Sequence, residues 1–279
     1  ACTACGGVVL WARRHRIKRM DKGVEAGGPA SRQGLAAVGV TVAHGKRVLM
    51  RNSELRVAPG EVIGLVAPNG YGKTTLIEAL VGANGARRAG WVDMDGASSI
   101  RCDAFFKDAL YVPCDAKLLY GNLTAAAHIA IASKLWPHRV DVNKLVKCCG
   151  IEGYLHKPVR FCSSGMRQQI ALAVAYCTGV RYLLLDEPMN ALDPGNVALN
   201  SRILERLASQ GHGVLLSSHI LSNLDDVCTS VVFIEDGKLV RHAGNVGEDI
   251  GKLYDAVYGA AEAPIAAKVP DAAERGGGI

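Results

Sequence analysis

Apolar residues in the central part of this 279-residue chain form short continuous runs that are typical of buried β-strands. Four such runs are EVIGLV at 61–66, RYLLLD at 181–186, GVLLSS at 213–218 and VVFIE at 231–235. The segments AVGVTV, LRVAP and GWVDMDG predict further strands upstream, and the turn DG followed by KLVRHA predicts a hairpin after the last run. GKTTLIEALVG has helical apolar spacing, and about 122–160 is mostly helical in pattern. Buried strands alternating with helices predict an α/β fold with a mostly parallel sheet.

Composition places the expected limits of this α/β domain at residues 35–258. Residues 1–34 carry seven Lys or Arg against Asp21 and Glu25, so +5 of the formal net charge of +6 lies there. We interpret this stretch as a basic, disordered extension, with Met20 as an alternative native start because the chain begins at Ala1. The tail at 259–279 also has the composition of a disordered segment. No internal repeat is visible, so one folded domain is expected to fill the chain.

The composition also restricts where the protein works. No apolar run reaches the length of about 18 residues that a membrane span needs, so a membrane role must come through another chain. Among nine cysteines only Cys2 and Cys5 have C-x-x-C spacing, and no second pair stands nearby to complete a zinc site. We interpret the cysteines as free thiols of a reducing compartment, the cytoplasm, and expect no nucleic-acid partner.

The segment APNGYGKTT, residues 67–75, follows a predicted strand and begins a predicted helix, which is the setting of a phosphate-binding loop. Gly70 and Gly72 occupy the positions where the backbone crowds a phosphate, and Lys73 is expected to reach the β- and γ-phosphates of a nucleotide. Thr74 is expected to ligate Mg²⁺. Ala67 stands where a glycine is usual, and this exchange costs little if its φ is negative. Asn69 and Thr75 complete the predicted nucleotide contacts.

Two adjacent acids end the apolar strand in YLLLDEP. Phosphoryl transfer to water needs an anchor for the metal and a group that orients or deprotonates the water. Asp186, at the strand end, suits the Mg²⁺ shell, and Glu187, one residue beyond, suits the water. A solvated pair of acids would not explain why an all-apolar strand leads into them.

Four segments in this order and spacing, APNGYGKTT, CSSGMRQQ, LLLDEPMNALD and SSHIL, resemble the nucleotide-binding domain of ABC-family ATPases over about residues 35–258. The SSGM form resembles the ATPases of exporters whose membrane subunits are separate chains, the ABC-2-like type. The resemblance implies a P-loop NTPase fold with a RecA-like, mostly parallel core sheet. It also implies a small antiparallel β subdomain and a helical subdomain at about 115–165.

The resemblance further implies that two ATP molecules bind between two head-to-tail subunits, in a homodimer or a heterodimer. Ser163 and Gly165 would contact the partner's γ-phosphate, and Asp193 would lie near the opposite site. His219 would hold the γ-phosphate and the attacking water, so that Lys73, Glu187 and His219 form the catalytic set. His44 stands where the family stacks an aromatic residue on adenine, although an exposed loop histidine is an equal alternative.

One position departs seriously from the family pattern. The glutamine that normally contacts Mg²⁺ after a strand like LYVP is replaced by Cys114, with Asp115 as an alternative ligand if the register slips by one residue. Lys46, Arg47, Arg87 and Arg88 are interpreted as solvated surface. We expect ATP binding. Cys114 and Ala67 favour a weakly catalytic regulatory subunit as an alternative, whereas the intact Lys73, Asp186, Glu187 and His219 speak against it.

The leading hypothesis is an ATP-hydrolysing subunit that powers transport, in the export direction, through a separate membrane subunit. It would sit in the cytoplasm, peripherally on the inner face of the cell membrane. A soluble non-transport ABC ATPase, such as an iron–sulfur assembly factor, remains an alternative. Repair relatives need a long coiled coil, for which the 87 residues between Thr75 and Ser163 leave no room, and translation relatives carry two nucleotide domains. The transported substrate cannot be read from this chain, because its site belongs to the membrane subunit.

Overall fold

The computed structural model describes residues 33–45, 47–83, 87–95, 98–99, 103–114, 116, 118–136, 138, 140–242 and 250–259. Nearly all of the predicted extension, with Cys2, Cys5 and Met20, lies outside the described residues. The same holds for Lys46, Asp115, residues 260–279 and the side chains of Arg87 and Arg88.

Ten strands and eight helices are described. The strands are β1 (Leu35–His44), β2 (Arg47–Val57), β3 (Val62–Val66), β4 (Arg87–Met94), β5 (Ser98–Ser99), β6 (Ala109–Val112), β7 (Tyr182–Asp186), β8 (Gly213–Ser217), β9 (Ser230–Glu235) and β10 (Lys238–His242). The helices are α1 (Lys73–Val81), α2 (Asp103–Asp108), α3 (Ala125–Leu135), α4 (Val142–Cys148), α5 (Ser164–Cys177), α6 (Pro194–Ser209), α7 (Ser222–Asp225) and α8 (Ile250–Tyr258). Short 3₁₀ turns span Glu152–Tyr154 and Val159–Phe161.

The core sheet has six strands in the order β10-β9-β3-β8-β7-β6. All neighbours pair in parallel except β10, which returns antiparallel to β9 through the predicted hairpin. Every residue of β3, β7 and β8 is buried, which explains their continuous apolar sequences. Because parallel strands end at the same edge, the residues that follow these three strands meet along one line. That line carries the candidate site.

A second, antiparallel sheet has the order β2-β1-β4-β5. The strand β2 begins at Arg47, well before the predicted segment LRVAP, and pairs with β1 so that Arg47 lies opposite His44. Gly45, with φ of 59°, makes the turn between the two strands. The hairpin therefore places His44 and Arg47 next to each other at its tip.

Between β6 and α5 the chain forms the predicted helical region. The side chain of Thr124 accepts a hydrogen bond from Ala127 N at the start of α3, and that of Asp141 accepts one from Lys144 N at the start of α4. His128 is buried in α3, where its Nδ1 donates to Thr124 O and its Nε2 accepts from Tyr120 N. Burial lowers the pKa of His128, which favours this neutral, doubly bonded form.

The α/β fold class is confirmed: a mainly parallel core sheet, a small antiparallel sheet and a helical region are all present. Within the described part of the chain, no helix has both the length and the apolar character required to cross a bilayer.

Candidate nucleotide-binding site

The phosphate loop links β3 to α1 and takes its shape from two glycines. Gly70 and Gly72 have φ of 84° and 101°, in the left-handed region that favours glycine. A Cβ on Gly72 would also lie 2.9 Å from Leu49 Cδ1, so a side chain there would displace Leu49 as well as strain the backbone. Ala67 is buried and has no positive φ, which satisfies the condition under which an alanine is tolerated at this position.

Lys73 is the first residue of α1, and its side chain lies across the loop. Its Nζ donates to Ala67 O at 2.6 Å and lies 3.8 Å from Glu187 Oε1. Burial lowers the pKa of Lys73, while the negative charges of Glu187 and Asp186 act in the opposite direction. The ammonium group is thus held between the loop and the carboxylates.

Asp186 and Thr74, the two predicted metal ligands, are directly bonded. Thr74 Oγ1 donates to Asp186 Oδ2 at 2.7 Å, and Ser217 Oγ donates to Asp186 Oδ1 at 2.7 Å. Carboxylate and hydroxyl oxygens fit the preference of Mg²⁺ for hard ligands. Within the described part of the chain, no group of three or more His, Cys, Asp or Glu is placed to hold a metal ion.

Glu187 is held in an unusual backbone conformation. Its φ of 48° lies in the left-handed region, and its N–H donates to Ser217 Oγ at 2.9 Å. The carboxylate points towards the loop. Its Oε2 lies 2.9 Å from His219 Nδ1 and accepts a hydrogen bond from His219 N at 3.2 Å. Glu187, His219 and Lys73, which the sequence predicts as the catalytic set, therefore lie together.

One cavity of about 490 Å³ covers this arrangement. It is lined by His44, Arg47, Leu49, Pro68, Asn69, Gly70, Gly72, Lys73, Thr74, Thr75, Glu187, Asn190 and His219. The structure thus brings His44 to the phosphate loop across the tip of the β1–β2 hairpin. Arg47 is exposed, as the surface interpretation expects, yet it also lines the cavity.

The sequence reasoning missed Arg47, Leu49, Asn190 and Ser217 as parts of the site. A hairpin turn predicted directly after His44 would have placed Arg47 opposite His44 on the next strand. Ser217 lies opposite Asp186 in the pairing of β8 with β7, which only the sheet order reveals.

The remaining predicted site residues are not in this cavity. Ser163 caps α5, its Oγ accepting from Met166 N, and Asp193 caps α6, its Oδ1 accepting from Asn196 N. Gly165 lies in the first turn of α5, where an added Cβ would come 2.8 Å from Ala191 O. Cys114 is exposed beyond the end of β6 and does not line the cavity.

Comparison with known proteins identifies the family. Residues 50–190 match the domain family described as ABC transporter. The chain is 29% identical over 214 residues to the lantibiotic transport ATP-binding protein SrtF of Streptococcus pyogenes, covering 76% of this chain and 92% of the relative. It is 30% identical over 216 residues to the lipopolysaccharide export system ATP-binding protein LptB of Escherichia coli, covering 75% of this chain and 89% of that protein.

Two further similarities agree. An uncharacterized ABC transporter ATP-binding protein of Bacillus subtilis, YdbJ, is 31% identical over 213 residues, covering 74% of this chain and 67% of the relative. Among solved structures, an ATP-binding subunit of an ABC transporter matches with a TM-score of 0.72 and 22% identity, over 81% of this chain and 99% of that one. At 22% identity, the similarity between the two structures supports the fold alone.

Proposed function

Because this chain belongs to the ABC transporter family, as an ATP-hydrolysing subunit that powers transport, we propose that its cavity binds ATP with Mg²⁺ and that Glu187 activates the attacking water. The observation that carries the proposal is the meeting of Lys73, Glu187 and His219 at one phosphate loop.

Each residue has a task that its surroundings support. The loop amides and the N-terminus of α1 would bind the phosphates, and Lys73 would exchange its bond to Ala67 O for phosphate oxygens. Thr74 and Asp186 would hold Mg²⁺, which supplies positive charge against the β- and γ-phosphates. Glu187 would take a proton from the water. His219, which contacts the Glu187 carboxylate, would orient both that carboxylate and the water. His44 and Arg47 would cover the base and ribose at the hairpin tip.

Pairing of two subunits would complete the site. Ser163 and Asp193 are exposed residues at two helix N-termini, outside the cavity of their own chain. A helix N-terminus is a ready-made place for a phosphate, so Ser163 and Gly165 suit the γ-phosphate bound by a second copy or a paralogue. Asp193 would then lie beside that opposite site.

The membrane subunit would dock on the helical region. A groove of about 770 Å³ lies between α3 and α4. Its apolar residues are Ala126, Ile129, Ala130, Val142, Val146 and Leu155, and its polar ones are Ser133, Lys134, Asn143, Lys147 and Glu152. This mixed lining suits a short amphipathic helix of a separate membrane chain. The name of LptB, for lipopolysaccharide export, supports the export direction, and that of SrtF, for lantibiotic transport, supports a transport role. A subunit of this kind would lie at the cytoplasmic face of the membrane, next to its membrane subunit.

The test combines partner recovery with turnover. The tagged full chain is purified from detergent-solubilised membranes of its native host, and ATP hydrolysis is measured for wild type, Glu187→Gln and the exposed control Glu54→Gln. We expect one stoichiometric multi-span protein to co-purify, and only Glu187→Gln to reduce turnover to a small residual rate while it still binds ATP. Recovery with soluble partners alone, or wild-type turnover in Glu187→Gln, would overturn the proposal.

A further inference from the structure

The segment that follows Glu187, residues 188–193, runs along the first two turns of α5. Gln168 points into this contact from α5 and is only 2% exposed. Its Nε2 donates to Pro188 O at 2.9 Å, a bond buried on both sides. A buried side-chain amide needs a hydrogen-bond partner, and for Gln168 that partner is a backbone carbonyl of this segment.

The bonded carbonyl belongs to the residue directly after Glu187. The pyrrolidine ring of Pro188 restricts its φ, and a hydrogen bond to its carbonyl restricts the orientation of the following peptide. On the other side, Ser217 holds the N–H of Glu187. The backbone on both sides of Glu187 is therefore restrained, which supports its left-handed φ.

A second contact between α5 and the same segment lies at its far end. Gly165 packs so closely that a Cβ would come 2.8 Å from Ala191 O. Ser163 caps the same turn of the helix. The helix N-terminus that is suited to a partner's phosphate thus touches the segment at Ala191 and, one turn later, at Pro188.

We propose that Gln168 is a positioning residue for Glu187. It ties the carbonyl of Pro188 to α5, so that the helix beginning at Ser163 and the carboxylate that activates water move as one unit. A phosphate bound at Ser163, at the opposite ATP site, would then act on Glu187 of the same chain. This inference rests on the proposed function, because it takes Glu187 as the residue that activates water.

The neighbouring residue provides a matched control. Gln169 is equally buried, at 1% exposure, but its Nε2 donates to Cys149 O at the end of α4, away from the nucleotide cavity. It also accepts from Asn200 Nδ2 in α6. Replacing Gln169 removes more hydrogen bonds from the same helix without touching Pro188.

The experiment compares Gln168→Met with Gln169→Met in the full chain, since methionine keeps the length of glutamine without its donor. We expect Gln168→Met to lower kcat by about tenfold or more, with the Kd for ATP within about twofold, because a small misplacement of a reacting group is costly. Gln169→Met should lower the unfolding temperature at least as much and keep kcat within about twofold. If Gln168→Met cannot be purified folded, Gln168→Asn, whose amide stops one methylene short of Pro188, is expected to show the same loss of kcat.

A double variant separates positioning from a general weakening of the fold. In the Glu187→Gln background, Gln168→Met should leave the residual single-turnover rate unchanged, because the group that it positions is already absent. Equal losses of kcat in the Gln168 and Gln169 variants, or a further loss in the double variant, would overturn the inference. If Glu187→Gln itself keeps the wild-type rate, the proposed function fails instead.

Discussion

Ser217 is the residue on which the two acids at the end of β7 depend most. Its side chain is fully buried, its Oγ donates to Asp186 Oδ1 at 2.7 Å, and the same oxygen accepts the N–H of Glu187 at 2.9 Å. Replacing it with alanine removes both bonds and leaves a buried carboxylate one partner short. We predict that Ser217→Ala destabilises the protein and also lowers its turnover.

The loss of stability follows from the two bonds. A hydrogen bond to a charged group contributes about 1.5–3 kcal/mol, and one between neutral groups about 1 kcal/mol. The total is about 3 kcal/mol, which in a chain of this size lowers the unfolding temperature by about 6–12 °C. Turnover should fall as well, because the N–H of Glu187 would no longer be held and its left-handed conformation would loosen.

The assay is denaturant unfolding of the nucleotide-free protein, followed by circular dichroism, together with steady-state ATP hydrolysis. Ser209→Ala serves as the control, because the Ser209 hydroxyl donates to Arg206 O at the exposed end of α6. That substitution should change stability by less than about 0.5 kcal/mol. If Ser217→Ala differs from Ser209→Ala by less than about 1 kcal/mol, Ser217 does not stabilise the acids as argued.

Three further predictions concern single positions. Ala67→Gly should leave ATP affinity unchanged in a nucleotide titration and lower the unfolding free energy by about 1 kcal/mol, since glycine costs chain entropy; tighter ATP binding would contradict this. His44→Tyr should tighten ATP binding by about twofold to fivefold, because a larger ring stacks over more of the base; unchanged affinity would remove His44 from the base contact. Burial places the pKa of His128 in the folded protein below its ordinary value of 6.5. The unfolded chain therefore binds more protons than the folded protein as the pH falls through that value. Wild type should therefore lose stability between about pH 7.5 and 5.5 relative to His128→Gln in urea unfolding, and parallel pH profiles would refute the assignment.

The sequence was most informative where the functional residues come at or directly after the end of a buried strand. The loop after β3 and the acids after β7 could be predicted to meet, because each follows an apolar run and parallel strands share an edge. The fold class followed from the same alternation of strands and helices. These predictions need only local patterns and one topological rule.

Contacts across the sheet could not be predicted in this way. Whether Ser217 or Ser218 faces Asp186 depends on the register of β8 against β7, which tertiary packing determines. Arg47 reaches the cavity only because β2 begins earlier than its apolar pattern indicates. Gln168 belongs to a helix whose residues 168–177 are all buried, so no amphipathic pattern distinguishes the side that meets Pro188.

The order of the core strands explains why this site is complete only in the finished fold. Along the chain β3 comes first, then β7, then β8, but in space β8 lies between the other two. The phosphate loop and the two acids therefore approach each other across a position that residues 213–217 must fill. Placed between them, β8 brings Ser217 to Asp186 and, two residues later, His219 to Glu187. The bonds from Ser217 and His219 to the two acids therefore require β8 to be in place between β3 and β7.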